Sequence, residues 1–451
     1  MSYANPLIFR EYDIRGLAGS DFSEPFCEHL GLAYGTLLRE QGQTLAAIGR
    51  DCRLTSDAYT FSLIQGIRKT GIHVINLGMC PTPLLYFSLF EEGFLNGIQV
   101  TGSHNPSEYN GFKICINQKS LWGEQIQDLK NRMDHQTFFL ADTLGSLRTY
   151  PIIESYVSFM QSHFKFQNPL KVVLDAGHGV GGLVAPKLLR MLGCHVHELY
   201  CTPDGHFPSH HPDPTVEANL KDLRQTVLQE KADIGIALDG DADRLGVIDH
   251  QGKILWGDKL MIIYAQEILK QSPGATIIGE VKCSQTLFEA IGKLGGKAIM
   301  WKTGHSLIKA KIQEEQALLA GEMSGHLFFS DRYFGYDDAI YASLRLIDIL
   351  SASGKTIDEL LSEIPETFST PEIRLECPDQ KKFEIVKRAK QFFQTQFKTI
   401  DIDGIRIEFP DGWGLIRASN TQPVLVLRFE ATTPERLQEI QTLIESHLKS
   451  I

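Results

Sequence analysis

No Cys-x-x-Cys pair occurs in this chain: its eight cysteines, at 27, 52, 80, 115, 194, 201, 283 and 377, are scattered. That spacing offers neither a zinc site nor a disulfide framework, so free, mostly buried thiols are expected. Also lacking is any apolar run near the ~20 residues of a membrane span. The opening stretch MSYANPLIFREYDIRG has no basic segment leading into an apolar core, so no secretory leader is expected and the cytoplasm is the expected compartment. Basic charge is short as well. Forty-four Lys and Arg against 55 Asp and Glu leave a formal net charge of −11, which argues against nucleic acid or anionic membrane as partners. An anionic ligand would therefore need a local basic pocket.

With 43% apolar and 22% charged residues, the composition is that of a globular protein, and 451 residues fit three domains or four small ones. From 45 onward the pattern alternates: apolar runs at 45–49 and 73–77 flank a helical pattern over 56–70 that stops at Gly71. The same alternation restarts after a polar boundary at 134–150, with strands predicted at 171–174, 195–200 and 234–238 and helices at 179–192 and 220–230. It restarts again with strands at 276–279 and 298–301 and helices at 259–269 and 285–294. Three related α/β units follow, each the grammar of a largely parallel sheet. The last part differs: a helix over 381–397, Asp-Gly turns at Asp403-Gly404 and Asp411-Gly412, a run at 424–430 and a final helix capped by Thr433 with Pro434 at its first position. Two strands and two helices there predict a small α+β domain. The divisions are expected at 1–149, 150–251, 252–366 and 367–451.

Four polar constellations interrupt these units. Thr101-Gly102-Ser103-His104-Asn105-Pro106 follows the third strand of the first unit, where ligands gather at the carboxyl ends of strands. Asp239-Gly240-Asp241-Ala242-Asp243-Arg244 places three carboxylates at i, i+2 and i+4, hard oxygens that suit Mg2+. An EF-hand would need Gly and Glu where this chain has Arg244 and His250. Gly321-Glu322-Met323-Ser324-Gly325-His326 offers acceptors and donors for vicinal sugar hydroxyls, and Arg417-Ala418-Ser419-Asn420-Thr421-Gln422-Pro423 is a phosphate clamp in kind. Basic residues at strand ends, Arg15, Arg50, Lys113, Lys282, Lys302 and His305, add cations. Together they supply a hydroxyl nucleophile, a metal cluster, an oxyanion clamp and a polyol reader, the inventory of phosphoryl transfer. A serine hydrolase fits poorly, since no Gly-x-Ser-x-Gly elbow surrounds Ser103.

These motifs, with Phe9-Arg10-Glu11-Tyr12-Asp13-Ile14-Arg15-Gly16 and Pro203-Asp204-Gly205-His206-Phe207-Pro208, make the chain similar to the α-D-phosphohexomutase family over nearly its whole length. The resemblance implies a heart-shaped protein of three α/β domains and one α+β domain whose cleft takes one loop from each. It implies a phosphoserine at Ser103, Mg2+ held by Asp239, Asp241, Asp243 and Ser103, and interconversion of hexose 1-phosphate and 6-phosphate, of mannose and glucose, through a bound 1,6-bisphosphate. Glucose or mannose 1,6-bisphosphate would be the activator.

The resemblance further assigns Lys113 and His305 as general acid/base candidates, with His104, Arg244 and Arg15 in catalytic support. Glu322 and Ser324 would meet sugar hydroxyls. Tyr12, Lys282, Thr303, Gly304 and His326 would line the substrate, and Arg417, Ser419, Asn420 and Thr421 would hold its distal phosphate. Lys113 is expected to be crowded by cations and thus to lose its proton easily. The last domain, joined near 366–370, is expected to swing as a lid, and a monomer is expected. Ala242 stands where the family commonly has glycine. The alternatives are a phosphoglucosamine mutase and a non-catalytic sugar-phosphate binding protein.

Overall fold

The computed structural model describes residues 5–419 and 423–450. Its three α/β units share one strand plan. In the first, Leu45–Arg50 runs parallel between His73–Met79 and Gly97–Val100, and Tyr109–Ile116 returns antiparallel beside Gly97–Val100. In the second, Lys171–Asp175 lies between His195–Leu199 and Ile234–Leu238, with Leu245–Asp249 returning. In the third, Thr276–Glu280 lies between Lys297–Trp301 and Leu319–Gly321, with Leu327–Phe329 returning. In every unit the connection from the third parallel strand to its antiparallel neighbour is a tight loop: residues 101–108, 239–244 and 322–326. Three of the four polar constellations thus occupy the same slot. The strands entering those slots, Gly97–Val100, Ile234–Leu238 and Leu319–Gly321, are buried along their whole length, as expected of parallel strands covered on both faces.

The largest apolar cluster is shared by all three units, running from Leu85 through Leu174 to Ile277 and Leu319. Helix Thr82–Phe90 stands inside it, apolar all round and buried but for its last residue. Full burial of a leucine or phenylalanine side chain contributes about 1.5–3 kcal/mol, so this short helix anchors the first unit to its neighbours. The last domain has a separate core of Ile405, Ile416, Leu427, Phe429 and Ile440, and meets the third unit through a small patch of Val281, Trp413 and Leu415. The last domain is thus a separately packed unit.

Several elements differ from expectation. The last domain contains a six-stranded sheet, not two strands; Phe368–Ser369, Ile373–Glu376 and Lys398–Ile400 are short, exposed edges that carry little apolar pattern. The 179–192 segment divides into a tight turn at Val180–Leu183 and a helix at Ala185–Met191, because Pro186 belongs to a helix's first turn. The polar 134–150 stretch adds an edge strand, Leu147–Thr149, to the first sheet. Ile254–Leu255 pairs with Leu245–Asp249, so the second sheet continues past residue 251. All eight cysteines are free and seven are buried. Among the described residues no helix is long and apolar enough to cross a membrane.

Candidate active site

Ser103 sits at the tip of the first slot with φ +49°, a left-handed conformation uncommon outside glycine. A single buried guanidinium braces that loop. Arg53 donates to the carbonyls of Ser103 (2.8 Å), Asn105 (2.5 Å), Pro106 (2.5 Å) and Tyr109 (2.9 Å), and to Asp51 (3.1 Å). Asp51 accepts in turn from Thr101 Oγ1 (2.8 Å), the Gly102 amide (3.1 Å) and Ser56 Oγ (2.5 Å). An irregular loop leaves its carbonyls without ladder partners, and here a side chain with five N–H donors collects them.

The aspartate loop at 239–244 presses against this turn. Ser103 Oγ donates to Asp239 Oδ2 at 2.9 Å and lies 3.0 Å from His104 Nδ1. A Cβ on Gly240 would stand 2.6 Å from the Ser103 carbonyl oxygen, so only glycine permits the approach. Asp239 Oδ1 accepts from the amides of Asp243 (3.0 Å) and Arg244 (3.1 Å), and Ala242 takes φ +60° to close the turn. Asp241 Oδ2 accepts from Thr82 Oγ1 at 2.5 Å, with the Thr82 amide 2.9 Å from the Asp241 carbonyl. The buried helix Thr82–Phe90 therefore points its positive N-terminal end at the carboxylates.

Oxygens of Asp239, Asp241 and Asp243 lie within 4.8 Å of one another, and all three side chains are buried. Asp241 Oδ1 and Asp243 Oδ1 have no hydrogen-bond partner. Hard, unpartnered oxygens converging on one point fit a metal ion and suit Mg2+ in kind. The Lys113 ammonium approaches the same cluster, 3.0 Å from Asp241 and in short contact with Asp243. Burial and the two neighbouring carboxylates push the Asp239 carboxyl up, whereas Lys113 and the Thr82 bond overcome burial and hold Asp241 below the usual range.

That arrangement corrects the environment expected for Lys113. Carboxylates surround it, not cations. Burial works against its charge, but Asp241, Asp243 and Asp337 outweigh it, so its proton is held more tightly than in a free lysine. The two imidazoles beside it behave oppositely. Burial, with Arg244 and Arg15 for His104 and with Lys309 for His305, drives both well below the ordinary histidine range, leaving them neutral at pH 7.

One cleft is lined by Ser103, His104, Lys113, Arg244, His305, Arg15, Tyr12, Lys282, Thr303, Gly304, Glu322, Ser324, His326, Arg417 and Ser419. Sequence reasoning thus drew together residues from all four units, while Asn420 and Thr421 lie outside the described residues. Glu322 accepts from the Gly304 amide (2.8 Å) and Ser324 Oγ (3.0 Å), which fixes both its oxygens. Arg244 donates to His326 Nε2 at 3.0 Å, so the ring proton is on Nδ1, 3.0 Å from Asp337. Tyr12 donates to the Thr303 carbonyl (2.9 Å) and Arg15 to Asn105 (2.9 Å), tying the first unit to the third and to the serine loop. Arg417 is held by Asp403 at 3.0 Å, and Lys282 by Glu372 at 3.0 Å.

Two strand-end cations stay outside this cleft: Arg50 pairs with Asp57, and Lys302 is exposed. Participants not foreseen include Arg53, Thr82, Asp337, Glu372 and Arg374. Arg53 alone carried a local signal, two residues after Asp51 at the carboxyl end of a strand.

Comparisons with known proteins agree with this geometry. Residues 6–139, 154–252 and 256–368 match the phosphoglucomutase/phosphomannomutase alpha/beta/alpha domains I, II and III, and residues 372–446 match the C-terminal domain of the same family. The chain is 44% identical over 447 residues to a phosphomannomutase/phosphoglucomutase of Pseudomonas aeruginosa, covering 98% of this chain and 96% of that one. It is 43% identical over 446 residues to a phosphoglucomutase of Neisseria meningitidis, covering 98% and 97%. The crystal structure of a phosphoglucomutase/phosphomannomutase family protein from Burkholderia thailandensis superimposes with a TM-score of 0.93 at 40% identity, covering 99% of this chain and 98% of that one. With the serine loop, the aspartate cluster and all four domains accounted for, the chain belongs to the phosphoglucomutase/phosphomannomutase family of α-D-phosphohexomutases.

Proposed function

We propose that this chain is a phosphomannomutase/phosphoglucomutase, interconverting the 1-phosphate and 6-phosphate of mannose and of glucose through a phosphoserine at 103 and a bound 1,6-bisphosphate. The observation that carries the reading is the 2.9 Å contact of Ser103 Oγ with Asp239, inside a cleft lined by Arg15, Lys113, Arg244, Lys282 and Arg417. The names of the relatives support it.

In the first transfer a sugar hydroxyl attacks the phosphorus on Ser103. The new P–O bond forms to the sugar, the bond to Ser103 Oγ breaks, and the hydroxyl proton passes to a base. His305, neutral and in the cleft, serves as that base. Lys113, held as an ammonium, donates a proton to the departing serine oxygen and so becomes the base for the return transfer. The bisphosphate turns over, and its other phosphoryl returns to Ser103. Asp239, Asp241 and Asp243, with Ser103, would hold Mg2+, which when bound supplies positive charge to the phosphoryl oxygens. Arg15 and Arg244 add charge there, and His104 orients the serine hydroxyl.

Glu322 and Ser324 meet the sugar's hydroxyls, with Tyr12, Thr303, Gly304 and His326 around the ring. Arg417 and Ser419, with Asn420 and Thr421, clamp the distal phosphate beside Lys282. A glucose or mannose 1,6-bisphosphate primes an unphosphorylated serine. The separately cored last domain closes over the intermediate and keeps water from the phosphoserine. A cytoplasmic monomer completes the proposal.

The test is turnover with Mg2+ and a trace of glucose 1,6-bisphosphate, comparing mannose, glucose and glucosamine 1-phosphates. Comparable rates with the first two are expected. Activity confined to glucosamine 1-phosphate would make the enzyme a phosphoglucosamine mutase, and binding with no turnover would make it a sugar-phosphate binding protein.

A further inference from the structure

Every cation proposed to receive phosphate in the outer half of the cleft already has a carboxylate partner, and the partners are of two kinds. Asp403 is built in: it accepts from Arg417 Nε at 3.1 Å, pairs with the same guanidinium at 3.0 Å, and accepts from the Thr303 amide at 3.1 Å. Glu372 is differently placed. It follows directly on the linker into the last domain, its side chain is 19% exposed, and it lines the cleft. One of its oxygens takes Lys282 Nζ at 3.0 Å and the other takes Arg374 Nε at 2.9 Å. Both of these bonds come from cleft-lining cations, and both acceptor positions are ones a phosphate oxygen can occupy.

Lys282 does not need this carboxylate to keep its backbone in place. Its amide donates to Glu280 at 2.8 Å, and its carbonyl accepts from the buried Arg428, which also reaches Asp258 at 3.3 Å. The ammonium itself is 5% exposed and directed at the cleft, so a bare charge there would be costly without an anion. Arg374, 42% exposed, lines the same cleft.

We infer that Glu372 is a displaceable counter-anion: it holds the place on Lys282 and Arg374 that the substrate's non-transferring phosphate takes on binding, and binding exchanges one anion for the other. The inference rests on the sugar-phosphate reading of the cleft. A phosphate dianion and a carboxylate cannot share the same two cations without like-charge repulsion, so Glu372 must leave as phosphate arrives. Since Glu372 belongs to the last domain and Lys282 to the third, the exchange also releases one tie between them. Such a competitor weakens ground-state binding, which favours a cleft whose bound intermediate has to turn around between two transfers.

The experiment is calorimetric titration of glucose 1-phosphate into Ser103→Ala, in which no transfer occurs, and into Ser103→Ala/Glu372→Gln. A competing pair formed about nine-tenths of the time lowers apparent affinity about tenfold, so the double variant is expected to bind about tenfold more tightly. Equal or weaker binding by the double variant would overturn the inference while leaving the function standing. No binding by either protein would overturn the sugar-phosphate reading and this inference with it. A crystal structure of the otherwise unaltered chain with glucose 1-phosphate needs no Glu372 variant: Lys282 and Glu372 are expected beyond ion-pair distance, and an intact pair beside bound phosphate would refute the exchange.

Discussion

Ser103 Oγ and Asp239 Oδ2, 136 residues apart in the chain, share a 2.9 Å hydrogen bond that joins the serine loop of one sheet to the acidic loop of the next. Neither loop is an active site alone. The serine and the carboxylates meet because two sheets offer equivalent loops to one cleft and because Gly240 has no side chain to keep them apart.

Replacing that hydroxyl should end the chemistry and spare the fold. Ser103→Ala is expected to lose mutase turnover by about 10⁴-fold or more. The loss of one hydrogen bond costs about 1 kcal/mol, so its unfolding midpoint should change little. A coupled assay and a thermal melt check both; substantial residual turnover would remove Ser103 from the phosphoryl route.

Chelation should silence the enzyme reversibly. Turnover is expected to disappear with EDTA and return with Mg2+. Asp241→Asn, which trades a carboxylate for an amide, should weaken Mg2+ binding by at least about tenfold, as altered supporting groups alone commonly do. Titrating activity against free Mg2+ reads the shift, and an unchanged midpoint would place the ion elsewhere.

Arg53→Met tests the brace beneath the serine. Four loop carbonyls would lose their donor and the buried Asp51 its charge partner, and removing one member of a buried charge pair costs about 3–5 kcal/mol. The denaturant midpoint is expected to fall accordingly. Arg53→Lys should recover less than half, because one ammonium cannot reach acceptors spread over Ser103, Asn105, Pro106 and Tyr109.

Burial lifts the Asp338 carboxyl to about 6, against the opposing bonds from the Tyr341 amide, Tyr333 and Tyr156. A carboxyl whose folded value exceeds its unfolded one binds its proton more tightly in the native state. Its contribution to stability is therefore full in acid, below the ordinary carboxylate range, and is lost as pH rises through about 6. Asp338→Asn cannot ionise and escapes that loss. Relative to the parent, the variant should gain about 3 kcal/mol between pH ~4 and ~7, at roughly 1.4 kcal/mol per pKa unit. Chemical denaturation at several pH values measures the difference; a flat difference would refute the assignment.

The residues proposed as nucleophile and metal ligands stand out in the sequence because each belongs to a short polar run directly after an apolar strand. Ser103, Asp239, Asp241, Asp243 and Glu322 follow that rule, while Arg417 is the penultimate residue of its strand. What stays hidden depends on partners distant in sequence. Lys113 reads as a lysine inside a strand; only the fold shows that Asp241 and Asp243 surround it and keep it protonated. Arg50, one of the strand-end cations, pairs with Asp57, whereas Arg53, three residues on, turns inward and braces the serine loop. Glu372 lies among exposed edge residues with no periodic pattern, and its meaning comes from Lys282, 90 residues earlier. The short edge strands of the last sheet escaped notice for a related reason: Ile373–Glu376 is mostly exposed, and an exposed strand shows no buried face in its sequence.

The three shared slots carry a consequence for how such an enzyme diversifies. Each slot is closed by its own two strands, and the loops meet one another at a few fixed points such as Gly240 on Ser103 and Gly325 on Leu245. Under the proposed function one loop would hold the phosphoryl, the next the ion and the third the sugar, so a change of sugar would fall to residues 322–326 while the other two loops stay fixed. Novelty and constancy are kept at separate addresses of one repeated frame.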